Sequence, residues 1–88
     1  MNKTLAFKGE GFDDYVYWQS QDRKTLKRIN QLLRDIDRSG YSGIGKPEPL
    51  KHNFHGWWSR RIDEENRLVY RIEGNEIQVL SCRFHYEE

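Results

Sequence analysis

The stretch WWSRRIDEENRLVYRIEGNEIQVLSCRF, Trp57 to Phe84, decides the fold. Its period is two. Trp57 to Ile62, Arg67 to Glu73 and Ile77 to Phe84 read as strands on that period. Two breaks divide the stretch. Asp63 to Asn66 is a polar turn, and Gly74-Asn75 is a short hairpin loop whose residues tolerate positive φ. Three strands joined by two tight turns predict an antiparallel meander.

Upstream the spacing becomes helical. Leu26, Ile29, Leu33 and Ile36 fall on one side of a helix, while Arg23, Lys24, Lys27, Arg28 and Arg34 lie mostly elsewhere. Asp22 can cap that helix and Gly40 can stop it. Before it, Phe12, Tyr15 and Val16 recur at i, i+3 and i+4, predicting one face of a first helix whose N-terminal end is favoured by Asp13 and Asp14. Lys3 to Phe7 reads as a short strand closed by Gly9 and Gly11. Tyr41 to Pro49 reads as an irregular loop. The expected architecture is a single α+β domain over residues 1–88, in the order β-α-α-β-β-β. Its two N-terminal helices pack on a small, mainly antiparallel sheet that the first strand joins.

Composition limits the function classes. A chain of 88 residues has room for one core, and its 14% aromatic content supplies large contacts per residue. Lys and Arg number 15 against 14 Asp and Glu, so contact with a polyanion must be local rather than spread over the surface. The single Cys82 cannot form an internal disulfide, no apolar run approaches the ~20 residues of a membrane span, and the polar start is not a signal peptide. These features predict a cytoplasmic protein without membrane attachment.

Four segments resemble one family. Lys46-Pro47-Glu48-Pro49-Leu50-Lys51-His52-Asn53, Trp58-Ser59-Arg60-Arg61-Ile62, Arg67-Leu68-Val69-Tyr70 and Arg83-Phe84-His85-Tyr86 are similar to the Txe/YoeB branch of the RelE-type toxins of bacterial toxin-antitoxin pairs. Asp13-Asp14-Tyr15, Tyr17-Trp18 and Lys27-Arg28-Ile29-Asn30 extend the resemblance over nearly the whole chain. Ordered motifs with matching gaps are far more specific than one short pattern. The resemblance implies a RelE-like fold and an mRNA interferase that cuts the message in the ribosomal A site, without a metal or organic cofactor. It also implies a bacterial, YefM-like antitoxin as inhibitor and a homodimer. By the same similarity Glu48 is the general base, Arg67 stabilises the transition state and His85 is the general acid. Lys51 and Arg61 contact phosphate, and Tyr86 stacks on a base or orients the cleaved phosphate. Two departures accompany the match: Glu87 and Glu88 continue past the terminal tyrosine, and Asn66 stands where close relatives can carry a histidine.

The residue types suit that chemistry on their own terms. In metal-free RNA cleavage the ribose 2′-hydroxyl attacks the adjacent phosphorus, so one group must take a proton, cations must hold the added charge and another group must protonate the departing 5′-oxygen. Glutamate is ionised at neutral pH, histidine titrates near it, and arginine grips a phosphate with two donors. Prolines on both sides of Glu48 restrict its backbone. Other readings stand beside these. A lone loop glutamate is ordinarily a solvated ion-pair partner of Lys46 or Lys51, and Arg61 and Arg67 have Asp63, Glu64 and Glu65 nearby as partners. His85 by itself reads as a surface histidine near a chain end. Trp18, Trp57 and Trp58 read first as core or interface and second as base-stacking platforms. Arg23, Lys24, Lys27 and Arg28 are a solvated helix face or a contact for ribosomal RNA. His52 and His55 with Cys82 or His85 make too poor a set for zinc, and Cys82 reads as a packed strand residue. A non-catalytic toxin of the same fold, acting on gyrase like the ParE branch or by occupying the ribosome, is the alternative function.

Overall fold

The computed structural model describes residues 1–84. Five strands form one sheet: β1 (Thr4–Phe7), β2 (Glu48–Pro49), β3 (Trp58–Arg61), β4 (Arg67–Glu73) and β5 (Glu76–Ser81), in the spatial order β1-β5-β4-β3-β2. The meander is antiparallel as its turns require, while β1 runs parallel to β5, with Leu5 opposite Ile77 and Phe7 opposite Val79. Helices α1 (Gly11–Gln21) and α2 (Arg23–Ser39) follow β1.

The helical stretch around Leu26 to Ile36 folds as its spacing requires. Asp22 accepts from the Lys24 and Thr25 amides, satisfying two of the orphan donors at the start of α2, and Gly40 ends the helix at φ 65. Ile29, Leu32 and Ile36 are fully buried against Leu68, Tyr70, Ile77 and Val79 of the sheet. Each such burial is worth on the order of 2 kcal/mol.

Helix α1 departs from its expected facing. Phe12 and Val16 are exposed, at 57% and 42%, and the buried positions are Gly11 and Trp18. The cause is a close approach: a Cβ on Gly11 would collide with the Val79 carbonyl. That contact turns the line Gly11, Tyr15, Trp18 inward and leaves Phe12 and Val16 beside it. Two boundaries also differ. Glu48-Pro49, expected within an irregular loop, pairs with Ser59 and Trp58 as an edge strand, where proline's missing N–H costs nothing on the outer side. The last strand, expected to reach Phe84, ends at Ser81, because the Cys82 N–H turns away to Asp14 and Phe84 bonds to Asn66 and Arg67.

Arg60 is the residue that sequence patterning missed. It lies on the helix-facing side of β3 and is 0% exposed. Nη1 donates to Asp35 Oδ2 at 2.6 Å and to the Ile44 carbonyl at 3.1 Å. Nη2 donates to the Gly40 and Ser42 carbonyls at 2.7 and 2.6 Å, and Nε donates to the Tyr70 hydroxyl at 3.0 Å. All five guanidinium donors are available for this work only in arginine. The loop after α2 is thereby wrapped around one cation, and Gly43, at φ 118, lies so close that a Cβ would strike the Asp35 carboxylate. Tyr41 closes the loop by stacking on Trp58 at 4.5 Å between ring centroids.

Removing one partner of a buried ion pair leaves the other uncompensated, which costs about 3–5 kcal/mol. Arg60→Ala is therefore expected to lower the urea unfolding free energy by that amount. The Arg60 hydrogen bond, opposed by burial and aided by the Ile44 N–H, holds the Asp35 carboxyl below its ordinary value of 3.8. A depressed acid pKa stabilises the fold above pH 3.8, and that contribution is lost as pH falls through the lower folded value. Unfolding curves from pH 6 to pH 2 should show the loss in the wild-type chain and a smaller loss in Asp35→Asn.

Candidate active site

Side chains of directly paired strand residues share a face, as do residues two apart along a strand. Glu48 pairs with Ser59, Ser59 with Val69, and Arg61 with Arg67. Glu48, Arg61 and Arg67 therefore project from the sheet face that points away from the helices, around a buried centre of Ser59 and Val69. The alternating face holds Trp58, Arg60, Leu68 and Tyr70. Glu48 and Arg67 are two strands apart, about 10 Å, and offset by two residues, about 7 Å, along the strands.

The state of each group bears on its use. Glu48 is exposed, held between Pro47 and Pro49 by its pairing with Ser59, and its carboxylate has no hydrogen-bond or ion-pair partner among the described residues. Arg61 is exposed and is fixed through its backbone, its N–H donating to the Gly45 carbonyl at 2.7 Å. Arg67 is half-buried. Its Nη1 donates to the Asp63 and Asn66 carbonyls at 2.7 and 3.1 Å, which leaves Nε and Nη2 without partners among the described residues. One nitrogen of the fork is thus an anchor and the others are open to an anion. The neighbouring acids Asp63, Glu64 and Glu65 do not pair with either arginine through their carboxylates among the described residues. Asp63 is instead occupied within its turn: burial pushes its carboxyl up, but the Asn66 side chain and the Asn66 and Glu65 amides outweigh that and hold it below the usual value.

Lys51 is exposed at the entry to a 3-10 turn, His52–Phe54, three residues beyond Glu48. His85 and Tyr86 lie outside the described residues. Arg23, Lys24 and Lys27 are exposed on α2 and, with Leu26 and Asn30, line a shallow cleft of about 430 Å³. Lys24 and Arg28 also border a cleft of about 360 Å³ with Asp22, Thr25, Ile62 and Asp63, and Arg28 Nη2 donates to the Arg61 carbonyl at 3.4 Å. The basic end of α2 therefore adjoins the strand that carries Arg61. Cys82 is buried and its thiol is pushed up to about 12, by burial first and by Asp14 second, so it stays protonated at neutral pH. Among the described residues no three His, Cys, Asp or Glu side chains group to hold a metal ion, and no helix is long and apolar enough to cross a membrane.

The chain has known relatives. A family model described as the YoeB-like toxin of bacterial type II toxin-antitoxin systems matches residues 7–86. The chain belongs to that family. It is 50% identical over 82 residues to the toxin YoeB of Escherichia coli strain K12, covering 93% of this chain and 98% of that one. The YoeB-like fold is equally plain: a YoeB dimer from Staphylococcus aureus superposes with a TM-score of 0.91 at 48% identity, over 98% of this chain and 100% of that one. A heterotetrameric YoeB-YefM complex from the same organism gives 0.89 at 48% identity, again over 98% and 100%.

Because Glu48 and Arg61 are tied to the fold by backbone pairing and not by their side chains, Glu48→Ala and Arg61→Ala should each shift the unfolding free energy by less than about 0.5 kcal/mol. Chemical denaturation beside Arg60→Ala reads the contrast directly. A loss of 2 kcal/mol or more in either variant would mean that its side chain is structural.

Proposed function

We propose that this YoeB-like toxin is a ribosome-dependent mRNA interferase that cleaves the message in the A site by metal-independent acid-base transesterification. The observation that carries the reading is the sharing of one sheet face by Glu48, Arg61 and Arg67, the first two without side-chain partners among the described residues and the third with only one nitrogen committed. Buried paired charges belong to architecture; ionic groups held by the backbone and left open are available to a ligand.

In the proposed step Glu48 takes the proton of the ribose 2′-hydroxyl as its oxygen bonds to phosphorus. Arg67, with Arg61 and Lys51, holds the charge gathering on the non-bridging oxygens. The bond from phosphorus to the 5′-oxygen breaks, and His85 gives that oxygen a proton. The products are a 2′,3′-cyclic phosphate, or its opened form, and a 5′-hydroxyl. Tyr86 orients the cleaved end. The 2′-hydroxyl requirement restricts the substrate to RNA. Arg23, Lys24, Lys27 and Arg28 supply a local cationic contact for ribosomal RNA, continuous with Arg61 through the Arg28 bond. The YoeB-YefM complex and the YoeB dimer of Staphylococcus aureus support a YefM-like antitoxin and a homodimer for this chain; the bacterial cytoplasm is the compartment that this reading assigns.

The test is cleavage mapping in a purified translation system. Wild-type protein should cut at the A site only when ribosomes are present. Glu48→Ala and Arg67→Ala should each lower the rate by roughly 10²–10³-fold. Translation arrest without cutting would favour occupancy of the ribosome, and neither arrest nor cutting would favour the gyrase-directed alternative.

A further inference from the structure

The sheet face that carries Glu48, Arg61 and Arg67 extends past them. In the continuation of the register that pairs Trp58 with Tyr70, Trp57 stands opposite Arg71, and Arg71 pairs with Gln78 of β5. The Leu50 N–H donates to the Trp57 carbonyl at 2.9 Å, so the ladder from β2 reaches this level too. Because residues two apart along a strand share a face, the helix-distal face presents successive rows spaced about 7 Å apart. Arg61 and Arg67 form the first, Glu48, Ser59 and Val69 the second, and Trp57 and Arg71 the third. Beyond them Glu73 pairs with Glu76 in an acidic row.

The third row is built but not closed. The Arg71 guanidinium carbon lies 4.4 Å from the Trp57 ring centroid. Its Nε donates to Gln78 Oε1 at 2.7 Å, with Glu73 Oε1 at 3.7 Å from the same atom, and Gln78, 6% exposed, is held in turn by donating to Glu76 Oε1 at 2.7 Å. The two Nη atoms of Arg71 and the Trp57 indole N–H have no hydrogen-bond partner among the described residues. Trp57 is half-buried and the Arg71 side chain is 33% exposed, so both keep surface open to a ligand. Nor is Trp57 part of the main core: Trp58 packs against the helix-side cluster and Trp57 does not.

Charge decides what such a row can take. An RNA backbone is a line of negative charge that arginines attract and carboxylates repel. Its phosphates therefore belong at Arg61 and Arg67, and Glu73 and Glu76 bar them from the opposite end. What stands between, an indole with a guanidinium laid over it, suits a flat uncharged group, since nucleic-acid bases stack on aromatic rings and on guanidinium planes. With the scissile phosphate at Arg67 and the attacking 2′-hydroxyl at Glu48, the nucleotide that supplies that hydroxyl continues toward Trp57.

We propose that Trp57 and Arg71 form a stacking subsite for the base on the 5′ side of the cut. The proposal rests on the interferase reading and deepens it, by giving the substrate base, and not only its phosphate and ribose, a binding group on this face.

Removing the base separates this role from a structural one. Ribosomes are programmed with mRNA in which the nucleotide 5′ to the A-site cut is either intact or an abasic ribonucleotide, which keeps the 2′-hydroxyl and loses only the base. Single-turnover rates at subsaturating toxin are measured for the wild-type chain, Trp57→Leu, Trp57→Phe and Arg71→Gln. Wild type should cut the abasic message roughly 10–100-fold more slowly than the intact one. Trp57→Leu, apolar but with no ring to stack on, should be slow on the intact message and cut the two at rates within about threefold of each other. Trp57→Phe should keep most of the dependence on the base, and Arg71→Gln should lose about two- to fivefold of it. Arg71→Gln changes a partly exposed side chain and reads the same ratio if Trp57→Leu fails to fold. Variants that slow both messages alike and preserve the wild-type ratio would overturn the proposal, as would equal wild-type rates on the two messages, and either result leaves the interferase intact. Wild-type protein that cuts neither message would overturn the interferase reading and this proposal together.

Discussion

The buried guanidinium of Arg60 is the constraint on which the rest of the structure depends. A charge taken out of water in so small a domain must be paired, or it costs several kcal/mol of a small total stability. Here Asp35 of α2, three carbonyls of the following loop and the Tyr70 hydroxyl do the pairing. One side chain thereby locks the long helix, the loop and two central strands into a single register. That register also decides which side chains the opposite face presents, because β3 alternates. With Arg60 turned in, Arg61 must turn out, and with Ser59 turned out, its partner Glu48 turns out beside it. Adjacent arginines in one strand thus take opposite roles, one architectural and one available to an anion.

The two faces also divide the energetics. Most of the apolar core lies on the helix side, where Ile29, Leu32, Ile36, Leu68, Ile77 and Val79 are sealed from water, with Val69 buried on the other. The other face carries charge that contributes little to folding and is held by backbone hydrogen bonds. Such a division lets a small toxin keep a preorganised ionic surface without lowering the stability of its core. The turn from Asp63 to Asn66 is where the two functions meet. It orders Arg67 through carbonyls and Phe84 through the Asn66 amide, while its own carboxylate accepts from Asn66 and Glu65 and forms no ion pair with an arginine among the described residues.

Much of this was legible in the chain. The period-two stretch after Trp57 contained the meander, and the period of Leu26, Ile29, Leu33 and Ile36 with the Asp22 cap contained α2. Motif order carried the family, which the match over residues 7–86 shows. What escaped had specific physical causes. Phe12, Tyr15 and Val16 have helical spacing, but the facing of a helix is set by its closest contact, and the approach of Gly11 to the Val79 carbonyl is a tertiary fact. Glu48-Pro49 is too short to show a period. Arg60 sits at an inward position of an alternating strand, so a reader of pattern alone could have singled it out as a charge that must find partners. Which carbonyls it finds depends on a loop 16 to 20 residues away that carries no pattern. The roles of His85 and Tyr86 rest on motif similarity, since both lie outside the described residues.

The most direct test of the central claim, that the helix-distal face of the sheet is where a phosphodiester is bound and cut, is the structure of the chain on a ribosome whose A-site mRNA carries a 2′-methoxy group in place of the attacking hydroxyl. The account predicts the Glu48 carboxylate within hydrogen-bonding reach of that 2′-oxygen, about 3 Å, and the open nitrogens of Arg67 on the adjacent phosphate. A message bound away from this face, with Glu48 and Arg67 both in solvent, would contradict it.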